Sequence, residues 1–306
     1  MSLVKTEAKK AKRKKILNAS DIAAWVMLLP LVIGLTVFTI IPQLQNISWT
    51  FLNMEGYRIT GFAGLSNYKR ILSDTAFFKT LLNTCQYVFW SMLIGFALPI
   101  ILAIILNEMV YLRNSLRVLI YFPTVLPGVA VAMLWYFMYY PDASGLLNMI
   151  RNFFGMEPYV WLQDSKMTIL LIVLSMTWQG AGGTSIYYFS ALQGVNRELY
   201  EAAIIDGAGF FRRIRVIVLP HIYGIALLFG VRQIMSVFSV MEQPLQMTGG
   251  GPNNASMTLA LMSYNYGFVN VKPQLSATIS VIIFLLLLIF TVIYHKLDKK
   301  IEENQM

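Results

Sequence analysis

Two places in this 306-residue chain hold residues whose type and spacing could do chemistry. One is Arg232, alone in an otherwise uncharged apolar stretch. A guanidinium there is expensive and demands a partner, a watery cavity or a ligand. The other is Glu201-Ala202-Ala203-Ile204-Ile205-Asp206-Gly207, followed after nine residues by Ile217-Val218-Leu219-Pro220. Residues 197–205 are good helix formers, and Glu198 and Glu201 stand early, where the helix dipole favours acids. Asp206-Gly207 supplies a stop, because glycine adopts the left-handed conformation at little cost. A second short helix is predicted over 210–218, until Leu219-Pro220 opens the next apolar stretch. The small Ala202 and Ala203 would let such a helix–turn–helix seat closely in a partner's groove.

Bond-making chemistry has no such foothold. There is no G-x-x-x-x-G-K-[ST] loop for ATP, and the run Gly249-Gly250-Gly251-Pro252 lacks the lysine that would reach phosphates. His221 and His295 stand too far apart in sequence to read as a metal pair, and both fall at predicted membrane boundaries. No G-x-S-x-G elbow or H-E-x-x-H helix occurs. The lone Cys85 excludes an internal disulfide framework. The residues therefore predict a protein that is not an enzyme and that itself binds no cofactor or metal.

The elements that must position these residues follow from composition. The chain is 57% hydrophobic and 13% charged, with a mean hydropathy of +0.61. Soluble domains carry about 25% charged residues, so the expected class is an all-α membrane protein. Six stretches are long enough to cross a bilayer: 22–41, 85–105, 118–140 with Pro123 and Pro127, 167–192, 222–241 broken only by Arg232, and 275–294. The first has a basic leader, yet it is too long for a signal peptide and no small-residue cleavage site follows, so it reads as a retained helix.

Lysine and arginine placement orients the six spans. Sixteen of the 24 lie on the face of both termini and the loops 107–117 and 193–220, against seven in the loops 42–84, 141–166 and 242–274. Both termini are thus predicted in the cytoplasm. The expected organisation is a basic cytoplasmic tail over 1–20, a membrane domain over 21–295 carrying the cytoplasmic loop 193–220, and a short tail over 296–306. The net charge of +9 belongs to this membrane address rather than to nucleic acid, and the basic run 9–15 would touch anionic lipid.

The loop pattern E-A-A-x-x-x-G-x9-I-x-L-P, matched at every fixed position, resembles the signature of membrane subunits of bacterial ABC importers. The likeness extends along most of the chain. Gly64-Leu65-Ser66-Asn67-Tyr68, Asn83-Thr84, Gly145-Leu146-Leu147-Asn148, Trp161-Leu162-Gln163-Asp164 and Thr248-Gly249-Gly250-Gly251-Pro252 resemble elements of the carbohydrate branch, similar to the maltose and glycerol-3-phosphate permeases. The resemblance implies a type I importer permease fold of six transmembrane helices with a cytoplasmic coupling helix, in the bacterial cytoplasmic membrane. It implies a second permease subunit, two ATPase subunits that bind the ATP and magnesium, an extracytoplasmic binding protein and a sugar or oligosaccharide substrate. The ATPase-coupling residues would be Glu201, Ala202, Ala203, Asp206, Gly207, Ile217, Leu219 and Pro220.

The same resemblance carries sugar-contacting positions onto Trp178, Gln179, Gly180 and Gly183 in the fourth span, and Gln233, Ser236, Val237 and Val240 in the fifth. From the third it adds Thr124 and Gly128, on either side of Pro127. The fifth-span set is spaced i, i+3, i+4, i+7, one face of a helix. Trp178 suits the apolar face of a sugar ring, and Gln179, Gln233, Ser236 and Thr124 can pair with hydroxyls. Gly183 stands where the family's maltose member has an aromatic, and Val237 and Val240 replace amides, which implies a roomier or shifted pocket. Arg232 joins this set as a reader of an acidic substrate or a bridge to the second permease. The competing readings are a permease for another organic solute, such as glycerol-3-phosphate or a polyol, and, in a different class, a membrane enzyme or receptor. An enzyme would need a clustered acid, base or metal set, and a receptor would not need the intact loop.

Overall fold

The computed structural model describes residues 19–109 and 112–305; the basic run 9–15 lies outside the described residues. The chain forms two units, Met1–Trp49 and Thr50–Met306. In the first, the helix Ala19–Leu35 widens into a π-helical turn, Thr36–Ile40, and continues as Ile41–Trp49. Its large apolar side chains, Trp25, Met27 and Phe38 among them, are exposed within the unit. A helix apolar on all sides needs lipid or protein around it. It outruns the predicted 22–41 because backbone polar groups still need their helical partners after hydropathy fades.

The second unit opens with an antiparallel hairpin, Leu52–Glu55 with Arg58–Phe62, so the all-α expectation is corrected by one small sheet. Gly56 turns the hairpin at a φ of +59°, an angle glycine tolerates. Asn67, buried at the start of the short helix Ser66–Leu72, donates to the carbonyls of Thr50 and Leu52, both at 2.9 Å.

Among the described residues five helices, the first included, are long and apolar enough to cross a membrane, or six if one bent pair counts as a single span. Ala23–Trp49 is span one, Thr75–Glu108 span two, Thr168–Leu192 span four, Phe210–Phe238 span five and Pro273–Lys296 span six. The last belongs to a helix that runs on to Gln305, through most of the predicted tail. The third crossing, expected to be one helix over 118–140, is instead Arg113–Val125 and Gly128–Met138, bent by 98°. Pro127 explains the break: it has no N–H to donate and pushes Leu126 into the extended region. The Leu126 carbonyl, freed by the bend, accepts from Gln179 Nε2 at 3.0 Å.

Span five also differs from expectation. It begins at Phe210, and a π-helical turn over Ile214–Val218 leads directly into Leu219-Pro220. Pro220 stands in the first turn of the following α-helix, where a missing N–H costs least.

Span four is the centre of the unit. Half of its most apolar stretch is buried, against 22% or less in the other spans. Gly182 lets it approach the helix Arg113–Val125 so closely that an added Cβ would stand 1.9 Å from the Ile120 carbonyl oxygen. On either side lie two apolar clusters, one around Tyr87, Ile172 and Val237, the other around Leu106, Tyr188 and Ile222. A third, built on Phe77, Leu259 and Leu275, seats span six.

Candidate functional site

The loop after span four folds as its residues dictate. Asn196 caps the helix Arg197–Ile205 by accepting the Glu198 N–H at 3.0 Å. The helix stops where Asp206-Gly207 predicts. Gly207 takes a φ of +72°, and the Ala208 N–H reaches back to the Ala203 carbonyl at 2.8 Å, the six-to-one bond of a glycine-terminated helix. An added Cβ at 207 meets nothing within 4 Å, so the requirement for glycine is conformational rather than steric.

One side of this helix is held to the end of span two. The Asn107 amide donates to the Tyr200 hydroxyl (3.5 Å), and Arg213 Nη2 pairs with Glu108 Oε2 at 3.5 Å. Burial, with the Glu108 carboxylate nearby, pushes the Tyr200 phenol above its ordinary pKa. Most of its surface is nonetheless open: Leu199, Ile204 and Ile205 are exposed, Ile205 at 86%. Glu201, Ala202, Asp206 and Gly207 are exposed with them, and Ala203 is half-buried. Beyond the turn Leu219 and Pro220 are exposed, and Ile217 is half-buried.

Spans two, four and five and the helix Arg113–Val125 enclose a cavity of about 790 Å³. Thr124, Gly180, Gly183, Arg232, Gln233 and Ser236 line it as expected. The span-five set lies one helical turn nearer the start of the helix than predicted: Phe229, Arg232, Gln233 and Ser236 face the cavity, again an i, i+3, i+4, i+7 set. Val237 and Val240 lie buried in the core cluster with Ile172, away from it. Trp178 is half-exposed and stacks edge-on against Trp135 at 5.9 Å. Gly128 sits beneath the Glu242 carboxylate, 2.7 Å from where its Cβ would stand. Neither residue lines the cavity, nor does Gln179.

Arg232 lies nearer the far end of its helix than the sequence suggests. With the helix starting at Phe210, it is about 33 Å from that end and about 9 Å from Phe238, at 1.5 Å per residue.

Two lining side chains are already engaged by the protein. The Thr124 hydroxyl sits on the 179–183 rung of span four, donating to the Gln179 carbonyl (2.9 Å) and accepting the Gly183 N–H (3.0 Å). Gln233 Nε2 donates to Ser91 Oγ on a π-helical stretch of span two, Ser91–Gly95. Sequence reasoning missed Arg117, Tyr121, Tyr187 and Phe229, all on the wall. Arg117 had been read as a loop charge; its place one helical turn before Tyr121 was the available signal.

The remaining motif residues hold the outer loops. Asn148, fully buried, offers its amide to the carbonyls of Tyr140, Asp142 and Tyr159, and accepts from the Tyr159 N–H and Trp161 Nε1. Asp164 accepts from the Tyr159 hydroxyl, the bond that most lowers its carboxyl pKa. Asn83 in span two donates to the Asn254 carbonyl at 2.7 Å, which ties down the loop after Thr248-Gly249-Gly250-Gly251-Pro252. His221 bonds the Ala191 carbonyl through Nε2 at 3.1 Å, a backbone contact between neighbouring elements.

A bundle of apolar helices around a cavity with two arginines on its wall, beside an exposed capped helix, defines a membrane transport subunit. Residues 95–303 match the family described as binding-protein-dependent transport system inner membrane component, and the chain belongs to that family. It is 31% identical over 277 residues to the trehalose/maltose transport system permease protein MalF of Thermococcus litoralis, covering 90% of this chain and 93% of that protein. It is 27% identical over 277 residues to the arabinooligosaccharides transport system permease protein AraP of Halalkalibacterium halodurans, covering 90% of this chain and 87% of the other. Among solved structures, a chain of a bacterial alginate ABC transporter, crystallised in complex with alginate pentasaccharide-bound periplasmic protein, superposes with a TM-score of 0.82 at 22% identity. The match covers 92% of this chain and 96% of that one. At that identity the likeness establishes the fold.

Proposed function

We propose that this chain is one of two permease subunits of an ATP-driven importer, passing a sugar or oligosaccharide through a cytoplasmic membrane. The observation that carries the reading is the helix Arg197–Ile205 with its left-handed stop at Gly207. It leaves Leu199, Ile204 and Ile205 exposed, Ile205 most of all. Apolar side chains at a helix end that carries Glu201 and Asp206 suit a groove on a soluble partner, with the acids pairing at its rim. The partner would be the ATPase subunits, which bind ATP and magnesium. The excess of lysine and arginine on this side supports a cytoplasmic location for the helix and both termini.

The coupling route would run through the clasp. Movement of the docked helix would pull on Asn107 at the end of span two through Tyr200, and Arg213 at the start of span five ties the neighbouring Glu108 to the segment that follows the turn. Span two in turn carries Ser91, which holds Gln233 on the cavity wall. A motion at the ATPase would thus reach the cavity through one continuous helix. The relatives' names, and the periplasmic protein bound to the alginate transporter, support a carbohydrate delivered by an extracytoplasmic binding protein.

The test is Gly207→Val. A β-branched residue in the left-handed region is strained by about 1–2 kcal/mol, so the stop should distort while the spans stay folded. The variant should still insert but should lose ATPase co-purification and uptake. Wild-type values for both would overturn the coupling role.

A further inference from the structure

Resting on the importer reading, we infer that the cavity is built for an anionic solute, a carbohydrate-sized molecule whose carboxylate or phosphate is held between Arg232 and Arg117. The two guanidiniums come from different helices and line the same 790 Å³ space, and no aspartate or glutamate lines it with them. That volume lies within the range of about 300–1,000 Å³ that accommodates a whole small ligand.

Neither arginine is neutralised within the described residues. No hydrogen bond and no carboxylate within 4 Å engages either one. Arg213 shows the contrast outside the cavity, with Glu108 beside it. What the two cavity arginines have instead is an aromatic ring each: Arg232 stands over Phe229 at 6.0 Å and Arg117 over Phe189 at 5.9 Å. A ring face steadies a cation without using its N–H groups. Both forks therefore keep their donors for something that enters.

The Thr124 hydroxyl is used on the backbone of span four, and the Gln233 amide nitrogen on Ser91. What remains besides the arginines is Gln233 Oε1 and the hydroxyls of Ser236, Thr184, Tyr121 and Tyr187, which can donate as well as accept. A neutral sugar offers hydroxyls that donate as readily as they accept. A wall this rich in donors pairs better with a ligand rich in acceptors. Tyr121, Tyr187 and Phe229 supply surfaces for the apolar face of a sugar ring. Both arginines are exposed on the wall of this space rather than buried in the core, so their charges face whatever enters it, and an acidic substrate would supply the counter-charge that the wall lacks.

The experiment uses the complete importer, with its second permease, ATPase subunits and binding protein, in proteoliposomes. The probes are matched pairs: digalacturonate against galactobiose for a carboxylate, and glucose 6-phosphate against glucose for a phosphate. Uptake and ATP hydrolysis are read together. The expected result is import of an acidic member over its neutral partner, with the pair that responds identifying the acid group. Arg232→Gln and Arg117→Gln should each lower that uptake about tenfold, the worth of one charge-assisted contact, and Arg232→Lys should restore part of it. Both Gln variants should still co-purify with the second permease.

Equal or preferred import of the neutral members, unaffected by either Gln variant, would overturn the inference and leave the importer reading intact. Loss of the second permease from Arg232→Gln would also overturn it, by assigning that charge to the subunit interface. ATP hydrolysis that never responds to the binding protein, with no probe imported, would remove the importer reading and this inference with it.

Discussion

Replacing Gly182 by alanine tests the crossing on which the cavity depends. An ideal Cβ at 182 stands 1.9 Å from the Ile120 carbonyl oxygen, 2.7 Å from its carbon and 3.1 Å from the Tyr121 Cα. These are backbone atoms, which cannot swing aside as a side-chain end does. Reaching even 3.0 Å from the oxygen requires the helices to part by about 1.1 Å, the difference between 3.0 and 1.9. Overpacking of this kind costs about 1–3 kcal/mol and occasionally more, and a backbone clash belongs at the upper end. Alanine returns about 1 kcal/mol through helix propensity. The net loss is about 2 kcal/mol, which at about 2.1 cal/mol/K per residue lowers the melting temperature of a 306-residue chain by about 3 °C. Parting the helices also draws the Thr124 hydroxyl off the 179–183 rung, so uptake should fall with stability. Tryptophan fluorescence melts of the purified complex and uptake in proteoliposomes read the two effects. Gly180→Ala is the control: it lies on the same helix with nothing within 4 Å of its added Cβ, and should melt at or above the wild-type temperature. If both variants melted alike, the close approach of span four to the helix Arg113–Val125 would be refuted.

Other outcomes follow from the same contacts. Glu201→Lys should weaken ATPase co-purification with the chain still inserted; unchanged co-purification and uptake would remove Glu201 from the docking surface. Asn148→Ala strands carbonyls and the Trp161 indole N–H in a buried loop, a loss of about 2–4 kcal/mol, and should make residues 141–166 sensitive to limited proteolysis. Acid should loosen the same loop late. The Asp164 carboxyl is held below its usual 3.8 mainly by the Tyr159 hydroxyl, so its contribution is complete above that value and is lost only as pH falls through the lowered one. Tyr159→Phe should move the acid transition of Trp161 fluorescence to higher pH, and an unmoved transition would show that the bond does not hold the loop.

The loop over 193–220 was legible in the sequence because its determinants are local. A cap at Asn196, helix formers to Ile205 and a glycine at 207 fix their own backbone whatever packs around them, and the helix runs over the predicted residues. The apolar spans were legible for a similar reason, since length and hydropathy are properties of a single segment. What was not legible depended on a second element. The 98° break at Leu126-Pro127 needs Gln179 on another helix to satisfy the carbonyl that the bend frees. From sequence, a proline in an apolar stretch is equally compatible with a mild kink. Gln179 itself read as a sugar ligand, yet its amide serves this bend. The lining set of span five was placed four residues, about one helical turn, too far along the chain. Val237 and Val240 are as apolar as a cavity wall or a core requires, and only the packing of Tyr87 and Ile172 assigns them to the core. Arg117 was counted among loop charges because helix Arg113–Val125 begins at that boundary. Its partnership with Arg232 comes from two helices meeting around one space, and no periodicity within either helix encodes that meeting. The pattern is physical: the backbone of each element answers to its own residues, while the cavity between elements answers to crossings such as Gly182 against Ile120, where a missing side chain leaves no mark in a hydropathy profile.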